Sequence, residues 1–165
     1  MGEKVNKSYF SAIKPGRYNP KIYCASKIWH AEKWLDLRNN YGYDIISSWI
    51  EVPCGTKENP TGALDLSSEQ QSVLWQDCVL EINRADLLIA YAEEGDDQRG
   101  ALVEIGGALA NSCPVYLIGN CDSYRKSNSS DAAFTHHPLF YNSFLPEDHI
   151  EGYKVALRHW HKEYE

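Results

Sequence analysis

A chain of 165 residues, 43% hydrophobic and 24% charged, is sized for one domain with a substantial core, which argues against a second domain of ordinary size. Its formal charge of −7, with no run of basic residues, argues against a nucleic-acid polymer as partner and for a small molecule. No apolar run approaches the ~18–20 residues that span a bilayer, and charged residues stand where a signal peptide needs its apolar core, so no membrane association is expected.

Residues 1–20 are polar, carry Pro15, Gly16 and Pro20, and show no period; they read as an extension to a domain over 21–165. KIYCA, residues 21–25, predicts a short first strand. The stretch 26–40 then predicts an amphipathic helix, with Ile28, Ala31, Trp34, Leu35 and Leu37 on its dry side. YDIISSW, residues 43–49, follows a turn at Gly42 and predicts a second strand. Pro53, Gly55, Pro60 and Gly62 make 51–65 a long loop of the kind that often carries function. Ser67 and Ser68 offer an N-cap for a helix to about Arg84, with Leu74, Cys78 and Ile82 on one face.

ADLLIAY, residues 85–91, is a continuous aliphatic run and predicts a buried third strand. An acidic loop, EEGDDQ, leads into the helix RGALVEIGGALAN, where Leu102, Ile105 and Leu109 recur at helical spacing. Residues 114–118 make a fourth strand, so the unit is βαβ, with parallel strands and a right-handed crossover. LFYNSF, residues 139–144, predicts a last strand, and Pro146 suits the first turn of a closing helix to about Lys162. The pattern gives an α/β fold: an open parallel five-stranded sheet of flavodoxin or Rossmann type, order 2-1-3-4-5, with helices on both faces. Ligands of such sheets bind at the carboxyl ends beside the switch in strand order, here between the first and third strands. The five cysteines, Cys24, Cys54, Cys78, Cys113 and Cys121, are odd in number and lack C-x-x-C spacing, which reads as reduced thiols in a cytoplasmic protein.

One residue breaks the βαβ pattern. Glu104 sits about one turn into an otherwise aliphatic or small helix, on the stripe of Ala101 and Ala108 rather than that of Leu102 and Ile105. Gly106 and Gly107 follow at a cost of ~1 kcal/mol each against alanine, which predicts the close approach of a backbone, a ring or a ligand. The helix N-terminus nearby would keep the carboxylate charged at neutral pH. Such a group can act as a nucleophile at an anomeric carbon, or it can be a first-turn glutamate that merely favours the helix dipole.

From KIYCASKI through TGALD and INRADLLIAY to GALVEIGGALANSCPVYLIG, roughly residues 21–119, the sequence resembles the nucleoside 2-deoxyribosyltransferase-like family, which includes the 2′-deoxynucleoside 5′-phosphate N-hydrolases. The wording ASKIWHAEKW and GALVEIGGALA is most similar to a phage-type branch. The resemblance implies that Glu104 is the nucleophile, that Tyr91, Gln98 and Gly100 flank the base, and that Ser26 lies where a 5′-phosphate binds. It also implies a homo-oligomer in which a neighbour helps close each site. Two positions depart from the family pattern: Gln98 stands where transferases often place an aspartate, and Cys78 where an aspartate is usual, with Asp77 one position away.

The expectation is therefore retaining cleavage of the N-glycosidic bond of a 2′-deoxynucleoside or its 5′-monophosphate, with water or a second base as acceptor. Lys27 and His30 would add charge beside Ser26, Trp49 and Tyr91 would stack on the base, and Asp77 or Asp86 would orient or donate a proton. No metal is called for, and no cofactor either, since no G-x-G-x-x-G follows the first strand. Two alternatives share the fold: a module that binds a nucleotide or nucleotide-like signal without turnover, and a hydrolase of ribosyl compounds such as NAD-like molecules.

Overall fold

Continuous aliphatic runs, buried along their whole length, form the strands at the centre of the computed structural model, which describes residues 18–52, 56–59, 65–97, 99–119, 134–141 and 146–165. The strands are β1 (Ile22–Ala25), β2 (Leu87–Ala92), β3 (Val115–Gly119) and β4 (Phe140–Tyr141). The helices are α1 (Ala31–Tyr41), α2 (Ser68–Arg84), α3 (Arg99–Ala110) and α4 (His149–Tyr164). All strand pairs are parallel, in the order β1-β2-β3-β4. Tyr23 is opposite Leu88, Tyr91 opposite Ile118, and Val115 opposite Phe140. Strands without alternation need cover on both faces, and they have it. Tyr23 and Cys24 are neighbours on β1 and so point to opposite faces; Tyr23 reaches Glu104 on α3, and Cys24 lies 3.1 Å from the Tyr153 hydroxyl on α4. Trp34 of α1 joins Tyr153 on the second face, at 5.8 Å between ring centroids. On the first face, Cys78 and Ile82 of α2 are buried, Ile82 in contact distance of Gly107 on α3.

Sequence signals account for most helix ends. Ser67 accepts from the Gln70 backbone N–H while the Gln70 side chain accepts from the Ser67 N–H, a reciprocal cap at the predicted start of α2. Gly42 ends α1 in the left-handed region, at φ 72°. Two helix starts are corrected. Residues 28–30 form a 3₁₀ turn ahead of α1, and Ser26 caps neither it nor α1. The closing helix begins at His149, capped by Asp148, which accepts from the Glu151 N–H; Pro146 lies before the cap.

The predicted second strand is the larger correction. Tyr43, Ile45, Ser47 and Trp49 are buried and alternate with less buried residues, so the period of two is real. The ladder nevertheless stops after one parallel bridge, Ile22 to Ile45. Side chains take over: Ser47 Oγ accepts from the Cys24 N–H at 2.7 Å, and the Trp49 indole N–H donates to the Cys24 carbonyl at 2.8 Å. Residues 48–51 then wind into a 3₁₀ turn. The last strand is Phe140–Tyr141 within the predicted 139–144, whose final residues lie outside the described residues.

The predicted core face of α3 is also turned. Leu102 is 41% exposed, while Ala101, Glu104, Ile105 and Ala108 are buried. Alanines let this helix sit close to the sheet, and the carboxylate on their stripe is carried inward with them.

Candidate active site

Glu104 is 8% exposed, and its Oε1 accepts a hydrogen bond of 2.6 Å from the Tyr23 hydroxyl. Tyr23 is itself fully buried in the middle of β1, so each group satisfies the other's polar atom. Cys78 comes in from α2 toward the same hydroxyl, and Glu81 lies one turn further on. Burial pushes the Glu104 carboxyl up to about 7; the Tyr23 hydrogen bond pulls it down, and the Glu81 carboxylate raises it. This corrects the expectation that the helix N-terminus would hold Glu104 fully ionised at neutral pH. The dipole of one helix end contributes ~0.3–1 kcal/mol at a surface, and loss of hydration outweighs it for a carboxylate this deep. Burial likewise pushes the Cys78 thiol up to about 11, so it stays protonated at neutral pH.

A second group lies at the carboxyl ends of β1 and β2, on the face of α1 and α4. Ser26 Oγ accepts from the Trp34 indole N–H at 2.8 Å and donates to the Lys27 carbonyl at 3.0 Å. The Lys27 ammonium pairs with Asp97 and lies 5.4 Å from the Trp29 ring centre. His30 is buried, its Nε2 2.8 Å from Asp96 Oδ2, which also accepts from the Glu93 N–H at 2.9 Å. Among the described residues, Asp96 Oδ1 and the Trp29 indole N–H are buried without a hydrogen-bond partner, a condition that costs ~1–3 kcal/mol each. Tyr91 is buried, donates to Glu93 at 2.8 Å, and sets its ring edge-on to His30 and Trp34. By strand parity it faces away from Glu104.

The predicted residues therefore fall into three sets. Ser26, Lys27, His30 and Tyr91 come together with the acidic loop, and Glu104 sits below them on the other face. Three residue steps lead from Tyr23 to Ser26, about 10 Å at the rise of a strand. Trp49 belongs to the core, closing the edge of β1, so it is not placed to stack on a ligand. Asp77 is exposed on α2, and it is Cys78 that turns inward. Asp86 lies at the amino end of β2, where its Oδ2 accepts from the Lys21 N–H at 2.8 Å and the Tyr18 hydroxyl at 3.0 Å. A carboxylate at that end of the sheet cannot serve chemistry at the other. Gly100 is exposed in the first turn of α3, and Gln98 lies outside the described residues. Gly106 has nothing within 4 Å of where a Cβ would stand, and Gly107 meets only Ile82 at 3.8 Å, so no group of the described chain makes the close approach predicted there. Tyr23 escaped the sequence reading because an aromatic in an aliphatic strand scores as core.

No protein-family model matches the chain, and no curated protein matches it. Among the solved structures similar to it are two of low identity. One is the 2-deoxyribosyltransferase of the psychrotolerant bacterium Bacillus psychrosaccharolyticus, with a TM-score of 0.46 at 20% identity over 59% of this chain and 71% of that one. The other is a conserved protein from Enterococcus faecalis V583, with a TM-score of 0.41 at 16% identity over 86% of this chain and 87% of that one. Among the described residues no group of His, Cys, Asp and Glu is arranged to hold a metal ion, and no helix is long and apolar enough to cross a membrane.

Proposed function

We propose that the chain cleaves the N-glycosidic bond of a 2′-deoxynucleoside or its 5′-monophosphate with retention, passing deoxyribose to water or to another base. The observation that carries this reading is the buried Glu104 carboxyl held by Tyr23 on the sheet-facing stripe of α3. In the first step a Glu104 oxygen bonds to the anomeric carbon as the bond to the base nitrogen breaks and the base leaves with that electron pair. In the second, water or a base nitrogen attacks the same carbon and the carboxylate departs. Tyr23 is the positioning residue: its hydroxyl fixes one oxygen and leaves the other to react. A carboxyl titrating near 7 is a better nucleophile when ionised than one of ordinary acidity, at the expense of being half protonated at neutral pH. By the family resemblance, the sugar's 5′ end would lie toward Ser26 and Lys27, and the base toward the first turn of α3 at Gly100. Asp86 lies at the opposite end of the sheet, and Asp77 is exposed on α2.

The resemblance to the deoxyribosyltransferase-like family supports the same chemistry and a homo-oligomer. Val73, Trp75, Val79 and Leu80 of α2, with Leu102 and Val103 of α3, expose the apolar surface a second copy would cover; sedimentation velocity reads that state. The deciding assay incubates the protein with each deoxynucleoside and deoxynucleotide and measures free base. No base from any of them, with wild type indistinguishable from Glu104→Ala, ends the enzymatic reading. One rival is a module that binds a nucleotide without turnover; stabilisation by a ligand recovered intact identifies it.

A further inference from the structure

The turn after β1 and the loop after β2 leave the carboxyl edge of the sheet side by side, and a buried contact joins them. His30 closes the 3₁₀ turn over residues 28–30, its backbone N–H donating to the Lys27 carbonyl at 3.0 Å, and its side chain is 4% exposed. Nε2 lies 2.8 Å from Oδ2 of Asp96, whose side chain is 0% exposed. A carboxylate only accepts, so Nε2 carries the proton. The same oxygen accepts from the Glu93 N–H at 2.9 Å, and the Asp96 N–H donates to the Glu93 carbonyl at 3.0 Å, a tight turn that Gly95 permits at φ 84°. The Tyr91 ring stands edge-on to the imidazole at 5.0 Å. Two further ties, Lys27 to Asp97 and Lys33 to Glu93, are partly exposed. Exposed ion pairs are screened and hold little, whereas a buried carboxylate stripped of its partner is strongly destabilised. The His30 contact therefore fixes this loop.

We propose that His30 is a positioning residue for the reaction, acting through Asp96 to hold residues 93–97 and with them the start of α3. This rests on the function proposed above, in which the base lies toward Gly100. Asp97 stands two residues before α3, so the loop sets where that first turn begins. Among the described residues Asp96 accepts through Oδ2 alone. Without the imidazole it keeps one donor, and opening the loop to water is the way to hydrate it. Glu104 lies further along α3, on the other face of the sheet and anchored by Tyr23, so its ionisation stays where it was. Loss of His30 thus loosens the base side and spares the nucleophile.

His30→Phe keeps a ring against Tyr91 and removes the nitrogen, and His30→Gln returns an N–H donor near the same place. In hydrogen exchange without ligand, His30→Phe should speed the Glu93 and Asp96 amides about 10-fold or more and leave the β1 amides alone. His30→Gln should recover most of that protection, and Lys33→Ala should change it less than ~2-fold. With whichever deoxynucleoside or deoxynucleotide the wild type cleaves, His30→Phe should raise KM about 10-fold, keep kcat within ~3-fold and leave the acid limb of the pH profile unmoved. A merely structural role would lower kcat with the folded fraction and leave KM alone. In the wild type the His30 Nε2 proton should give a slowly exchanging, downfield resonance, a readout that needs no variant to fold. Unchanged exchange in His30→Phe, an unmoved KM, or a rapidly exchanging Nε2 proton overturns the inference while base release keeps the function standing. A wild type that releases no base from any of these compounds sinks the function itself, and the positioning role with it.

Discussion

Replacing Glu104 by glutamine should remove a pH-dependent weakness from the fold. The carboxyl titrates near 7 in the folded chain against an ordinary value of 4.5, so folding favours its protonated form. Its contribution to stability is therefore fully present below pH 4.5 and is lost as pH rises through about 7. The full difference is ~3 kcal/mol, and about 2.5 kcal/mol of it falls between roughly pH 5 and pH 8. Glutamine keeps an oxygen for the Tyr23 hydroxyl and carries no charge at any pH. Surface carboxylates titrate alike in both proteins and cancel in the comparison. Urea unfolding of wild type and Glu104→Gln across this range should give curves that diverge by about 2–3 kcal/mol, the variant gaining relative to wild type at the alkaline end. Base release by the wild type should rise with ionisation of the same group, with an acid limb near 7. Parallel stability curves, within ~0.5 kcal/mol, would show that Glu104 is hydrated and ionised throughout, and would refute the burial on which its chemistry rests.

Tyr23→Phe removes a contact that lowers the Glu104 pKa, so the acid limb of base release should move to higher pH and kcat/KM at neutral pH should fall about 10-fold; an unmoved limb would separate Tyr23 from the reaction. Asp86→Ala should cost about 1 kcal/mol in urea unfolding, through the lost Lys21 and Tyr18 hydrogen bonds, and leave the pH profile of base release where it was. Gly152→Ala should lower the melting temperature, because a Cβ there would stand 2.9 Å from Ile118 and 3.1 Å from the Pro146 carbonyl; overpacking of ~1–3 kcal/mol exceeds the ~1 kcal/mol that alanine gains in a helix.

The parallel sheet was legible because β1, β2 and β3 are buried on both faces and so read as unbroken aliphatic runs. The cap at Ser67 was legible because capping is local chemistry. What depends on the distance between elements was not. Leu102 outweighs Ala101 on any hydrophobic count, yet the closer approach that alanines allow turned α3 the other way. Tyr91 stands at the right end of its strand, and parity sends it to the face of α1 and α4. Asp86 looked catalytic in the family's terms, although a residue just before a strand is bound to lie at the amino edge. For Tyr23 a signal was available: a buried tyrosine hydroxyl needs a partner, and so did the carboxylate on α3.

The single bridge between Ile22 and Ile45 leaves β1 as an outer strand whose next peptide is occupied by Ser47 and Trp49 rather than by a neighbouring chain segment. An open rim of this kind invites pairing between molecules, and among the described residues two side chains blunt it. Loss of both, as in Ser47→Ala with Trp49→Phe, would bare one N–H and one carbonyl of Cys24 and turn that margin into a template for self-assembly.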